Sequence, residues 1–394
     1  MKILFSKKSG LWVEDKEAIE KLRNDYFGEI KNDKLFLFPE EALYLVAFRN
    51  FKVYDTNGME INFNSLAAFY SKKDKNLFVK FNAYRDWRDR GLVIRRFNPA
   101  VKGKHEKKVT AVYPSGNIQL EPIKWEAVWY PYALFSIIED KQSVELYERY
   151  WFGQYGVYKQ KRGTMLKLNF LETIFLAKHF GLKVKNSETN KITSWRSILN
   201  SVVKKREYAK QLYEVYEDWR LRGYIVKTGF KFGSHFRIYF PGASPVKKDK
   251  WTHSKHVLHV FPKQERLLVS EWARAVRVAH GVKKTFILGI PEMKKEDYIY
   301  YEPHFLAYRR KKERNIWVRE TPKDKPRYLL VALNEDEHIG GIELASLLKI
   351  AKDMGLVLVL SITDRETAVT YYMLKKIILP DSKFEYYEIE WMKP

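Results

Sequence analysis

The sequence predicts a mixed α+β protein built from repeated units. A complete unit spans residues 128–305, an N-terminal half-unit 1–98 precedes it, and a C-terminal half-unit 306–394 follows. Residues 99–127 read as a linker carrying unassigned strands. Three observations predict this. The run Tyr84-Arg85-Asp86-Trp87-Arg88-Asp89-Arg90-Gly91-Leu92-Val93-Ile94 returns, at an offset of 132, as Tyr216-Glu217-Asp218-Trp219-Arg220-Leu221-Arg222-Gly223-Tyr224-Ile225-Val226. A fainter similarity joins Phe286-Ile287-Leu288-Gly289-Ile290 to Leu358-Val359-Leu360-Ser361-Ile362 at an offset of 72. Helical spacings that stop at glycine alternate with short apolar runs, as mixed helix and sheet require.

In chain order, Phe27-Gly28 and Glu41 to Leu45 return as Phe152-Gly153 and Glu172 to Leu176, at offsets of 125 and 131. The second copy therefore carries six extra residues, within a stretch that includes Tyr158-Lys159-Gln160-Lys161-Arg162-Gly163. Asn98 to Lys108, with Pro99, Gly103 and four lysines, reads as an exposed linker. Strand-like pieces surround the turn signal Pro114-Ser115-Gly116-Asn117. Val203 to Arg222 reads as one helix stopped by Gly223. Tyr224–Val226, Phe236–Tyr239, His256–Val260 and Thr285–Ile290 read as strands, and Leu268, Trp272, Ala275, Val276 and Ala279 recur at helical spacing before Gly281. The C-terminal half-unit repeats helix to glycine (Gly355), strand and charged turn, and its Tyr371-Tyr372 strand matches Tyr300-Tyr301.

Composition narrows the function. With 72 basic and 48 acidic residues the formal charge is +24, which points to a polyanionic partner, nucleic acid first. The absence of cysteine excludes disulfides, thiolate metal sites and cysteine nucleophiles. No apolar run is long enough to span a bilayer, and the apolar part of Met1 to Phe5 is too short for a signal peptide, so a cytoplasmic protein with no membrane partner is expected.

The chemistry-bearing residues are Tyr239 at a strand end, His253 opening the next strand, and Lys284 between a helix and a strand. Neighbouring strand ends share one edge of a sheet, so the three can converge. They supply the parts that RNA cleavage through its own 2′-hydroxyl needs: a base, an acid and a fixed cation. An imidazole, with an ordinary pKa of about 6.5, suits the acid, and a lysine suits the cation; a phenol, with a pKa of about 10, makes a base only beside positive charge. A metal cluster of His253, His256 and His259 is disfavoured, because on a strand His256 faces away from the other two. A metal-dependent nuclease would want an Asp…Glu-x-Lys cluster, and none stands out, so no metal or cofactor is expected. At offset 72, Lys325 and Leu356 stand where His253 and Lys284 do, and the N-terminal half-unit stops near Arg96, before any counterpart of Tyr239. One active site per chain follows. The alternative is a catalytically inactive RNA-binding subunit.

The run Arg222-Gly223-Tyr224-Ile225-Val226-Lys227-Thr228-Gly229-Phe230-Lys231-Phe232-Gly233, with Phe236-Arg237-Ile238-Tyr239, His253-Ser254 and Val282-Lys283-Lys284-Thr285, resembles the catalytic domain of archaeal and eukaryotic tRNA-splicing endonucleases. The resemblance covers about residues 145–302, extends to 306–394 through Val369-Thr370-Tyr371-Tyr372, and reaches 20–96 more faintly. The three-unit layout resembles the homodimeric class called epsilon-2. The resemblance implies that Tyr239 is the general base, His253 the general acid and Lys284 the transition-state stabiliser. It implies a precursor tRNA folded as a bulge–helix–bulge, cut without metal to a 2′,3′-cyclic phosphate and a 5′-hydroxyl by a homodimer. It also implies that Arg277 is one of two arginines pinching a flipped bulge base. The family's acidic docking loop would be Asp364-Arg365-Glu366, interrupted by Arg365. His235 occupies a position often acidic in the family and reads as a decoy. Lys159, Lys161 and Arg162, in the insertion, are expected to contact phosphates and to widen the range of bulges accepted.

Overall fold

The computed structural model describes residues 1–104, 110–157, 160–246, 253–291 and 293–394, with 157 and 160–162 as backbone alone. The architecture is mixed α and β, as the sequence predicts. Among the described residues no helix is long and apolar enough to cross a membrane.

Residues 2–61 carry a six-stranded sheet and residues 126–186 a five-stranded one. The two share a local device that explains the repeated Phe-Gly and Glu. The Glu172 carboxylate accepts from the Gly153 N–H at 2.8 Å and the Asn169 N–H at 3.0 Å; Glu41 accepts from Gly28 at 3.1 Å and Phe38 at 3.0 Å. Both glycines have left-handed φ (+66° and +62°), and a Cβ on either would come within 2.5 or 2.6 Å of a facing carbonyl oxygen. The six-residue insertion lengthens the hairpin that follows: Gln154–Val157 with Gln160–Asn169, against Glu29–Lys31 with Lys34–Leu37.

The remaining long strands form one eleven-stranded sheet. Its order is Ile225–Thr228, Phe236–Tyr239, His256–Val260, Thr285–Ile290, Glu385–Met392, Val369–Ile378, Val357–Thr363, Tyr328–Asn334, Phe305–Ala307 and Ile94–Arg96, with Thr110–Val112 beside Val369–Ile378. The two halves carry the same registers. His256 faces Thr285 and Tyr328 faces Val357, the second pair standing at the offset of 72 from the first. Ile238 faces His256, as Ala307 faces Tyr328. Ile225 faces Tyr239; Val93, the counterpart of Ile225 in the long repeat, accepts from the Tyr308 N–H at 3.0 Å.

Strand Ile94–Arg96, from the N-terminal third, thus closes the C-terminal half of the sheet as Ile225–Thr228 closes the other. Residues between Ile3 and Ile94 share one apolar core with residues between Phe305 and Tyr371. The Asp-Trp of the long repeat serves this join. Trp219 lies edge-on to Tyr386 at 5.2 Å, and Asp218 accepts from the Tyr386 hydroxyl at 2.7 Å. Trp87 meets Tyr371 at 5.3 Å, and Asp86 accepts from that hydroxyl at 2.6 Å.

Three expectations need correcting. Tyr300-Tyr301 is not in a strand; the pair equivalent to Tyr371-Tyr372 is Tyr386-Tyr387, which face Gly289 and Leu288 as Tyr371 and Tyr372 face Ser361 and Leu360. A Tyr-Tyr pattern does not say which pair a strand recruits, and here the recruit lies far downstream. The helix expected over 203–222 is two, Trp195–Val203 and Ala209–Leu221, parted at Tyr208 with φ 56°. The His253 strand starts only at His256. The N-terminal half-unit holds no counterpart of Tyr239; that place is taken by Tyr308, which follows strand Phe305–Ala307.

Candidate active site

Tyr239, His253 and Lys284 come to one end of three adjacent strands. Ile238, His256 and Thr285 stand in register across the sheet. One residue further out come Tyr239, Lys255 and Lys284, with the Thr285 N–H donating to the Lys255 carbonyl at 3.1 Å. His253 lies two residues before Lys255 and is exposed.

Lys284 is delivered by the end of helix Val269–Gly281: its N–H donates to Ala279 O at 2.9 Å, and Lys283 takes a left-handed φ of 56°. Its ammonium donates to the Ser254 hydroxyl at 2.9 Å and to the Ser254 carbonyl, so it holds the residue next to His253. Phe232 lies against the same ammonium, 5.3 Å from ring centre to Nζ, at the end of the short turn Phe230–Phe232. The glycine-bounded run of the sequence thus puts an aromatic face behind the lysine. Lys284 also lines an open groove with His280, Lys283, Glu390 and Trp391.

Tyr239 is buried, with its ring 4.7 Å from Trp151 and the Arg237 guanidinium 6.0 Å from its centre. Trp151 closely precedes the lengthened hairpin. The hairpin root is pinned by Lys227, whose ammonium donates to Glu172 at 2.8 Å and to Gly153 O at 2.9 Å; burial pushes that ammonium's pKa down. The Lys161 backbone lies on this hairpin opposite Gly156. Lys159 falls outside the described residues, as do the side chains of Lys161 and Arg162. Arg277, exposed on helix Val269–Gly281, donates to the Tyr372 hydroxyl at 3.2 Å.

Sequence reasoning missed a buried support behind the site. Tyr113, from the linker, donates its hydroxyl to Glu388 and lies 2.9 Å from His256 Nε2. With the phenol proton committed to Glu388, His256 donates through Nε2, and its Nδ1 has no partner among the described residues. Burial lowers the His256 pKa to about 4, so the ring is neutral at pH 7. The Tyr113 ring also meets Phe240, the neighbour of Tyr239, at 5.8 Å. No spacing rule links residues 113, 256 and 388.

His235 and His259 do not form a metal site with their neighbours; among the described residues no group of three His, Cys, Asp or Glu could hold an ion. His235 Nδ1 accepts from the Val260 N–H at 2.9 Å, and His304 Nδ1 accepts from the Ala332 N–H at 2.9 Å, the equivalent place in the other half. Burial holds both rings at a pKa of about 3. A residue doing the same work in both halves is a structural staple.

The equivalent end of the other half holds Tyr308, Arg327 and Leu356, with the Val357 N–H donating to Arg327 O at 3.0 Å. Leu356 is buried, and the linker packs on it: a Cβ on Gly103 would stand 2.5 Å from Leu356 Cδ2 and 2.3 Å from Gly355 O. Lys325 and Leu356 thus occupy the places that His253 and Lys284 hold in the first half.

Two family descriptions match the chain: "tRNA intron endonuclease, N-terminal domain" over residues 4–67 and "tRNA intron endonuclease, catalytic C-terminal domain" over 209–301. The tRNA-splicing endonuclease of Pyrococcus furiosus is 34% identical over 151 residues, 38% of this chain and 82% of that protein. That of Methanothermobacter thermautotrophicus is 34% identical over 136 residues, 34% of this chain and 75% of its own length. That of Methanosarcina acetivorans is 24% identical over 338 residues, 72% of this chain and 94% of its own length.

Proposed function

We infer the reaction from one premise: the chain belongs to the tRNA-splicing endonuclease family and is an endoribonuclease. Its substrate is precursor tRNA, cut at a bulge–helix–bulge. Tyr239 accepts the proton of the 2′-hydroxyl as that oxygen bonds to the adjacent phosphorus. The bond from phosphorus to the 5′-oxygen breaks, and His253 gives the leaving oxygen a proton. Lys284 stabilises the charge gathered on the phosphorane oxygens. The products are a 2′,3′-cyclic phosphate and a 5′-hydroxyl, and the side chains do all the proton and charge work, with no metal. Arg277 grips a flipped bulge base, and Lys159, Lys161 and Arg162 contact phosphates near the cut.

What supports this reading is the meeting of three strand ends that carry Tyr239, His253 and Lys284 in one half of the sheet, while leucine fills the lysine position of the other. In the same reading the two ends of the chain make a second, non-catalytic copy, leaving one site per chain. Removing an intron takes two cuts, so the working form is a homodimer.

Cleavage of a bulge–helix–bulge precursor in EDTA tests the chemistry. The parent chain should give cyclic phosphate ends, and His253→Ala should slow cutting by about 10²-fold or more. Cutting that needs added magnesium, or a variant as fast as the parent, removes the assignment.

A further inference from the structure

The stretch between strands Phe305–Ala307 and Tyr328–Asn334 corresponds in place to the one that carries His253 in the other half. Here it folds into a separate two-stranded hairpin, Arg310–Glu313 with Ile316–Arg319, turning at Arg314 and Asn315 with φ of 46° and 66°. Between Arg309 and Arg319 the chain has six cations (Arg309, Arg310, Lys311, Lys312, Arg314, Arg319) and one carboxylate, Glu313.

The register sorts these onto two faces. Arg310 faces Arg319 and Lys312 faces Trp317, so one face carries three cations and an indole, and the hairpin itself contributes no carboxylate to it. The other face carries Lys311, Glu313, Ile316 and Val318, and there Lys311 pairs with Glu313 at 2.7 Å and Asp324 at 2.6 Å. The root is anchored: Arg319 pairs with Asp25 at 3.0 Å and Arg310 donates to Arg90 O at 2.8 Å. The tip reaches out, with Trp317 65% and Ile316 68% exposed. A solvent-facing tryptophan on a small, rigidly rooted hairpin gains nothing for the fold.

Resting on the reading that the substrate is precursor tRNA, we propose that this hairpin is a second RNA-binding element, outside the scissile bulge. Trp317 offers its face to an unpaired base, while Lys312 and Arg314 meet the phosphates on either side. An indole flanked by cations fits RNA because every base has a stacking face and every nucleotide a charge. The copy without acid and lysine would thus hold substrate in the place where the active copy cuts it.

Binding of the full chain is measured to a precursor tRNA with 2′-deoxy residues at the cut sites, alongside single-turnover cleavage of the unmodified RNA at saturation. Trp317→Ala should weaken binding about tenfold, with cleavage at saturation unchanged and Trp317→Phe recovering most of the loss. Lys312→Gln with Arg314→Gln should lower the slope of log affinity against log salt by about 2. Unchanged affinity in Trp317→Ala overturns the proposal. So does an altered sedimentation coefficient of the RNA-free variant, which would make the hairpin a contact between copies of the chain. A parent that cuts normally beside an unaffected Trp317→Ala rejects the hairpin alone; a parent that leaves the precursor intact rejects the substrate reading and the hairpin with it.

Discussion

At the residue scale, the buried histidines set a pH limit. His235 stays neutral in the fold, with its pKa pushed to about 3 by burial, while an unfolded imidazole titrates at about 6.5. Below about pH 6.5 the unfolded chain binds the proton and the folded one does not, so stability falls with pH at about 1.4 kcal/mol per unit for this ring, levelling only near pH 3. His235→Asn retains an acceptor for the Val260 N–H without an acid-titrating ring. The variant should therefore lose about 2 kcal/mol less than the parent between about pH 6.5 and 5, read by chemical denaturation at both; parallel losses would show that the ring titrates normally in the fold. The sequence carried the candidate triad, because Tyr239, His253 and Lys284 lie within one contiguous, recognisable stretch. It did not carry Trp151, Tyr113 or Glu388, which reach the site from well upstream of Tyr239, from the linker, and from the far C-terminal strand. Such contacts have no period.

At the scale of elements, helix Leu77–Asp89 is the clasp between the two ends of the chain. Trp87 is fully buried against Tyr328 and Tyr371, and its indole N–H donates to Tyr308 O at 3.1 Å. Trp87→Ala should cost about 3–5 kcal/mol in urea unfolding, although the residue lies far along the chain from its partners. A loss below about 1 kcal/mol would mean that the N-terminal third does not support the C-terminal sheet. The helix repeat and the fainter strand repeat were legible because both copies bury the same faces against the same kinds of strand. The strand next to Thr285–Ile290 was misread as Tyr300-Tyr301 because a local pattern favours the nearer candidate. The linker stayed opaque for a related reason: Gly103 and Tyr113 are fixed by partners in the other half-sheets, not by neighbours in sequence.

At the scale of the whole molecule, the eleven-stranded sheet carries the candidate site in one half and buried Leu356 at the equivalent place in the other. On the proposed reading, a chain of 47.0 kDa with one site pairs with a second copy to make two cuts, so sedimentation at micromolar concentration should give about twice that mass. A monomer that removes an intron completely would show that a single site makes both cuts in turn. The repeats marked out the units, but not that residues near both ends of the sequence line one core.

The position of strand Glu385–Met392 bears on how this protein is made. It is the inner neighbour of Thr285–Ile290, yet it lies far downstream in the chain. At about 5–20 residues per second the ribosome takes roughly 5–20 s to cover the roughly 95 residues between them. Throughout that interval, the Thr285–Ile290 strand of the nascent polypeptide has an open edge, the kind of surface that captures other chains. Lys284 meanwhile sits on a sheet that lacks the wall supplied by Glu390 and Trp391. A product truncated before Glu385 carries Tyr239, His253 and Lys284 without the strand that finishes the groove beside Lys284, and on the proposed reading it should not cut.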